Sequence, residues 1–172
     1  MTKPKLQIKN RKFILRSVAD TQRLARRIAQ SLHGGEVLAL TGPLGAGKTT
    51  FTAALAKSLG VKRRVKSPTF IVLQTFRIPL KARSSQCFAT LRRARKLKAN
   101  TLCHVDAYRL ESTNELEALG LHDYLGAPNV ITVIEWAEKI GEALPHNSMW
   151  LHFDPKEKVR IVTFTTGNNI KP

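Results

Sequence analysis

The stretch from residue 36 to residue 60 restricts the fold more than any other part of this chain. Residues 36–41, Glu-Val-Leu-Ala-Leu-Thr, form a short apolar run of the kind that fills a buried strand. Gly42-Pro43-Leu44-Gly45-Ala46-Gly47-Lys48-Thr49 then satisfies the pattern G-x-x-x-x-G-K-[ST]. A helix is predicted over residues 48–59, with Gly60 as its stop. Strand, glycine-rich turn and helix in that order make a phosphate cradle. The glycines let successive backbone N–H groups face one anion. The helix aims its positive end at the same point. The ligand this implies is ATP with magnesium. Lys48 is expected to reach the β- and γ-phosphates as a point charge, and Thr49 to offer its hydroxyl to the metal. Gly42, Pro43, Leu44, Gly45, Ala46, Gly47, Lys48, Thr49 and Thr50 are the expected ATP contacts.

The rest of the chain supplies partners for that unit. Residues 12–18 alternate like a strand, and Asp20 can cap a helix to about residue 32, with Leu24, Ala25, Ile28, Ala29 and Leu32 on one face. Strands are predicted over residues 69–76, 101–106 and 130–135. Thr113 can cap a short helix ending at Gly120, and a further helix is predicted over residues 137–143. Residues 149–153 and 159–165 read as a closing hairpin. The alternation implies one α/β P-loop domain over residues 1–172, with a mostly parallel central sheet flanked by helices and an antiparallel edge.

A P-loop needs acids to hold its metal and place the attacking water. In open α/β sheets these sit at strand C-termini. Asp106 ends Thr-Leu-Cys-His-Val-Asp, and Glu135 ends Val-Ile-Thr-Val-Ile-Glu. Asp106 is expected to hold magnesium through water, and Glu135 to orient or deprotonate the nucleophile. Their competing reading is loop capping or pairing with Arg109. Trp136 can wall the nucleotide site or pack in the core. Thr69, in Ser67-Pro68-Thr69, can reach magnesium when a γ-phosphate is present. His104 reads as a packed residue.

Charge is the other constraint. The formal net charge is +17, and it is unevenly placed. Residues 1–100 hold 23 Lys/Arg and 2 Asp/Glu, whereas residues 101–172 hold 6 and 10. Residues 77–100 form an acid-free insertion carrying Arg77, Lys81, Arg83, Arg92, Arg93, Arg95, Lys96 and Lys98. Such a block suits a polyanion, nucleic acid first, or a solvated loop. Part of it, residues 87–97, can be helical. Two cysteines make no disulfide framework, which points to a reducing compartment. The N-terminus lacks a signal-peptide core, and no run approaches the ~18 apolar residues of a membrane span. The expected location is cytoplasmic.

Several stretches together resemble the TsaE family, the ATPase component of bacterial tRNA threonylcarbamoyladenosine synthesis. They are Gly42 to Thr50, Ser67-Pro68-Thr69, His104-Val-Asp-Ala-Tyr-Arg-Leu110, Glu115-Leu-Glu-Ala-Leu-Gly120 and Ile134-Glu-Trp-Ala-Glu138. The resemblance implies slow ATP hydrolysis with magnesium, in concert with threonylcarbamoyl-transfer proteins that modify tRNA. It implies phosphate and metal roles for Lys48 and Thr49, a sensor role for Thr69, a metal-associated role for Asp106, and a catalytic pair in Glu135 and Trp136. Glu135 and Thr69 join Thr49 and Asp106 as expected metal-side residues, with Glu135, Asp106 and Lys48 as the catalytic set. Pro43 stands where the family usually carries an acid, which removes a charge and an N–H from the loop. The basic insertion is also longer than usual and is expected to contact tRNA. Two other functions fit parts of the sequence. A nucleoside or small-molecule kinase would use the Arg92-Arg93-Ala-Arg95 cluster as a lid. A regulatory RNA-binding module would only sense nucleotide.

Overall fold

The computed structural model describes residues 11–65, 72–79, 97–110 and 114–167. Seven strands form one sheet: β1 (Arg11–Leu15), β2 (Val37–Thr41), β3 (Leu73–Arg77), β4 (Thr101–Asp106), β5 (Val130–Glu135), β6 (Met149–Pro155) and β7 (Arg160–Thr166). Their order is β1-β7-β6-β2-β5-β4-β3. The centre β6-β2-β5-β4 is parallel throughout. Both edges are antiparallel, β3 on β4 at one side and β6-β7-β1 at the other. A single antiparallel edge was the expectation. The second exists because β3 runs opposite to β4, a reversal that the apolar pattern of either strand leaves open.

The central strands are apolar on both faces because both faces are covered. Every residue of β2 and of β5 is buried. Period-two alternation sorts them into two layers. Leu38, Leu40, Ile131, Val133, Leu102 and Leu151 share a core with α1 (Val18–Ala29) and α2 (Lys48–Ser58). Val37, Ala39, Cys103, Val105, Ile134 and Trp150 pack on the opposite layer, built from α3 (Asn114–Ala118) and three short 3-10 segments. Even positions of β4 and odd positions of β5 therefore face α2. That sorting aims His104, Asp106 and Glu135 at the helix that leaves the phosphate loop.

Local chemistry corrects several boundaries. Helix α1 starts at Val18, not after Asp20. Extended Ser17 is its N-cap, and its hydroxyl accepts from Asp20 N at 3.2 Å. Asp20 reaches back to accept from Arg16 N at 2.8 Å, completing a reciprocal cap. The first strand consequently ends at Leu15, before residue 18. The segment Ala137–Ala143 is helical as expected, but as 3-10 turns kinked at Ile140, whose φ is −127°.

The basic insertion is shorter than 77–100. Arg77 belongs to β3, and Ile78, Leu97 and Ala99 are core residues. Ile78 N donates to Asn100 O at 2.7 Å, so the chain departs and returns at one point. The strand predicted from residue 69 begins at Leu73 within the described residues. Residues 66–71 and 80–96, with Thr69, Cys87 and the predicted helix 87–97 up to residue 96, lie outside the described residues, as does Thr113.

Candidate phosphate-loop site

The turn after β2 has the backbone the sequence asks for. Gly42, Gly45 and Gly47 have φ of 122°, 75° and 102°. At Gly42 two constraints combine: the left-handed backbone, and a β-carbon that would lie 2.2 Å from Phe153 O on β6. Only glycine fits there without moving a strand. Gly47 is the N-cap of α2, and no side chain caps the helix, so its first N–H groups remain directed at the loop. Pro43 lacks an N–H, yet its carbonyl accepts from Ala46 N at 3.3 Å and helps close the turn. Leu44 is 83% exposed at the tip.

Lys48 folds back across this turn. Its ammonium donates to Gly42 O at 2.5 Å and Pro43 O at 2.9 Å. It also stands 3.8 Å from the centroid of the Trp136 ring. Burial pulls the lysine pKa down, while the carboxylates of Glu135, Glu138 and Asp106 oppose that shift. The balance leaves a cation short of solvation, to which a phosphate is a strong partner.

Glu135 sits at the end of β5, 2% exposed. Its Oε2 accepts from the Thr49 hydroxyl at 2.7 Å. Its Oε1 accepts from the Thr52 hydroxyl at 3.2 Å and faces His104 Nε2 at 2.9 Å. A carboxylate only accepts, so His104 Nε2 carries the proton. His104 Nδ1 is buried and lacks a hydrogen-bond partner. A neutral ring with an unprotonated Nδ1 leaves a lone pair there rather than a buried donor, so the Nε2–H tautomer is the favoured one. Asp106 is the cross-strand neighbour of Glu135. Its Oδ1 accepts from Tyr108 N at 3.1 Å, capping the 3-10 turn Ala107–Arg109. The loop-capping reading of this acid therefore holds alongside its position at the strand end.

Trp136 is the one non-glycine residue with positive φ among the described residues, at 59°. That backbone costs roughly 1–2 kcal/mol and turns the indole back over Lys48. Tyr108 packs against it with ring centroids 4.9 Å apart. Lys139 donates to the carbonyl of Tyr108.

Of the residues expected at the site, Gly42 to Thr50, Asp106, Glu135 and Trp136 are gathered at one sheet edge. Thr52 and Lys139 have no place in the expected site; His104 is packed as expected, fully buried, yet also bonds Glu135, and Tyr108 entered only within the family stretch 104–110. Thr52 was open to inference, because it stands one helical turn after Thr49 and so shares its face. His104 was readable as sharing the Asp106 face, but its pairing with Glu135 depends on register.

Magnesium keeps several waters and takes one or two carboxylates plus substrate phosphate. The donor set of Thr49 hydroxyl, Glu135 and Asp106 beside an anion nest fits that requirement. It would hold the metal on the β4–β5 side of the loop. Among the described residues no helix is long and apolar enough to cross a membrane.

The chain is similar to several known proteins. A TsaE from Bacillus subtilis, named a tRNA threonylcarbamoyladenosine biosynthesis protein, is 34% identical over 154 residues, covering 87% of this chain and 82% of the relative. One from Streptomyces coelicolor is 36% identical over 148 residues, covering 83% and 87%. The crystal structure of YdiB from Bacillus subtilis superposes with a TM-score of 0.69 at 27% identity, covering 95% of this chain and 89% of that one. The family model described as threonylcarbamoyl adenosine biosynthesis protein TsaE matches residues 15–162, and the chain therefore belongs to the TsaE family of tRNA threonylcarbamoyladenosine biosynthesis.

Proposed function

We propose that this chain is the magnesium-dependent ATP-binding and ATP-hydrolysing subunit of a multiprotein complex that makes threonylcarbamoyladenosine in tRNA, acting in the cytoplasm. The observation that carries the reading is the buried Glu135 carboxylate hydrogen-bonded to Thr49 within the turn that Lys48 closes. In this reading the loop amides and Lys48 bind the phosphates. Thr49, whose hydroxyl donates to Glu135, and Asp106 would hold magnesium. Magnesium would supply charge neutralisation to the phosphates there. Glu135, held by His104 and Thr52, orients the attacking water and accepts its proton. Trp136 and Tyr108 shield that side from bulk solvent. Thr69 is assigned the γ-phosphate sensor role on sequence grounds.

The partners in this reading are the threonylcarbamoyl-transfer proteins and tRNA. The basic stretch at residues 80–96 would contact tRNA phosphates, and that contact should weaken steeply with salt through counterion release. Removing residues 80–96 spares the buried flanks and isolates the effect.

Titration of the chain with Mg-ATP, followed by phosphate release in the presence of its transfer partners, tests the core proposal. Saturable binding that is lost in Lys48→Ala is expected. Following labelled γ-phosphate separates hydrolysis from a kinase reaction. Transfer to a small acceptor instead of water would refute the ATPase assignment.

A further inference from the structure

The carboxylates lie to one side of β2, and the other side of the phosphate loop carries a residue with no assigned task. Strand β2 lies between β5 and β6. Because β7 runs antiparallel to β6, its first residue, Arg160, stands opposite Pro155 at the edge where β2, β4 and β5 end. Arg160 is half-buried. A β-carbon at Gly47 would lie 3.4 Å from both Cδ and Nε of Arg160 and 3.9 Å from its Cζ. The guanidinium group therefore lies directly against the phosphate-loop glycine that precedes Lys48.

Arg160 is paired through its backbone in the sheet, but among the described residues its guanidinium has no hydrogen bond or ion pair. The nearby hairpin acid Asp154 bonds Lys156 instead, at 3.0 Å. The first turn of α2 holds no acid. A desolvated lysine and an unpaired guanidinium thus flank the same turn with no anion of the protein between them on this side. A phosphate group in the turn would attract both cations.

We propose that Arg160 is a nucleotide-binding residue that contacts the α-phosphate end of the bound nucleotide from the β6–β7 hairpin. The side of approach determines which phosphate it meets. Glu135, Asp106 and Thr49 define the metal and γ-phosphate end on the β4–β5 side. Arg160 reaches Gly47 from the opposite side, so it acts on the portion that ATP and ADP share. It is a binding residue for both nucleotides, not a group acting on the transferred phosphate. The inference deepens the ATP-binding reading and rests on it.

The test is calorimetric titration of the full chain with Mg-ATP and Mg-ADP, comparing wild type, Arg160→Gln and Arg160→Lys. Glutamine keeps most of the aliphatic stem against Gly47 and removes the charge, and thermal melting checks that the fold is intact. Loss of one charge-assisted contact should weaken ATP and ADP by the same factor, about tenfold. Lysine should restore part of the affinity, since it keeps charge and loses the planar fork. Unchanged ADP affinity in a folded Arg160→Gln protein overturns the inference, as does a loss confined to ATP. A wild-type chain that binds neither nucleotide overturns the ATP-binding reading and this inference with it. Tight wild-type binding that Arg160→Gln leaves unaltered overturns the inference alone.

Discussion

Replacing Glu135 by glutamine and by alanine should separate catalysis from stability. The carboxylate receives three donors in a buried setting: Thr49, Thr52 and His104. In Glu135→Ala all three lose it. Thr52 keeps an alternative, since its hydroxyl also donates to Lys48 O at 3.0 Å. Thr49 is partly exposed and can turn toward water. His104 has no such escape, being fully buried. An unsatisfied buried donor costs about 1–3 kcal/mol. Lys48 also loses the Glu135 charge, the strongest of the carboxylate contributions that oppose its desolvation. Together these put Glu135→Ala at about 2–5 kcal/mol less stable, a fall in Tm of roughly 5–15 °C for a domain of this size. Glutamine keeps the shape and one accepting oxygen. A threonine hydroxyl can reverse to accept from the amide N–H, so Glu135→Gln should cost about 1 kcal/mol. Its amide cannot take a proton from water, and turnover should fall by about a hundredfold or more while ATP still binds. Urea denaturation and single-turnover phosphate release, with partners present, measure both quantities. Equal stability of the two variants would show that the network does not carry the load assigned to it, and normal turnover in Glu135→Gln would falsify its catalytic role.

Four further outcomes follow from particular contacts. Gly42→Ala places a β-carbon against Phe153 O on a left-handed backbone; it should cost about 1–3 kcal/mol from backbone strain alone, read by thermal denaturation, and a neutral result would refute the close approach. Trp136 is half-buried above Lys48 whereas Trp150 is buried in the core, so ATP should change the intrinsic fluorescence of wild type and leave that of Trp136→Phe nearly constant. The Arg16 N–H, the Ser17 hydroxyl and Arg23 hold the Asp20 pKa below its ordinary 3.8; the stability advantage over Asp20→Asn should be present above that pH and fade as pH falls through the lower folded-state value, and a gap that widens in acid would contradict the cap. Burial raises the Cys103 thiol to about 12, so peptide mapping after thiol labelling at neutral pH should find Cys103 unmodified until the chain is unfolded.

Strands β4 and β5 end at the residues expected, and the phosphate loop lies between the predicted strand and helix, because glycine spacing and apolar runs are local properties that dihedral sterics and burial enforce directly. The same locality exposed Asp106 and Glu135 as strand-end acids. The family signature in Ile134-Glu135-Trp136 was legible for the same reason. Less local features were not. That Glu135 would share a hydrogen bond with His104 required the β4–β5 register, in which Asp106 lies opposite Glu135. That Trp136 would close over Lys48 required a left-handed backbone at a non-glycine residue, which no propensity favours.

The chain order fixed a glycine-rich loop, its helix and two acids at strand ends. The tertiary structure alone decided which groups those acids touch and which strands border the loop. Residue 160 is over a hundred positions from Gly47, and nothing in either local sequence joins them. They meet because β7 reverses against β6 and β6 lies beside β2, an arrangement set by how the two apolar faces of the sheet are covered. Local sterics write the loop into the sequence, whereas long-range packing chooses its neighbours.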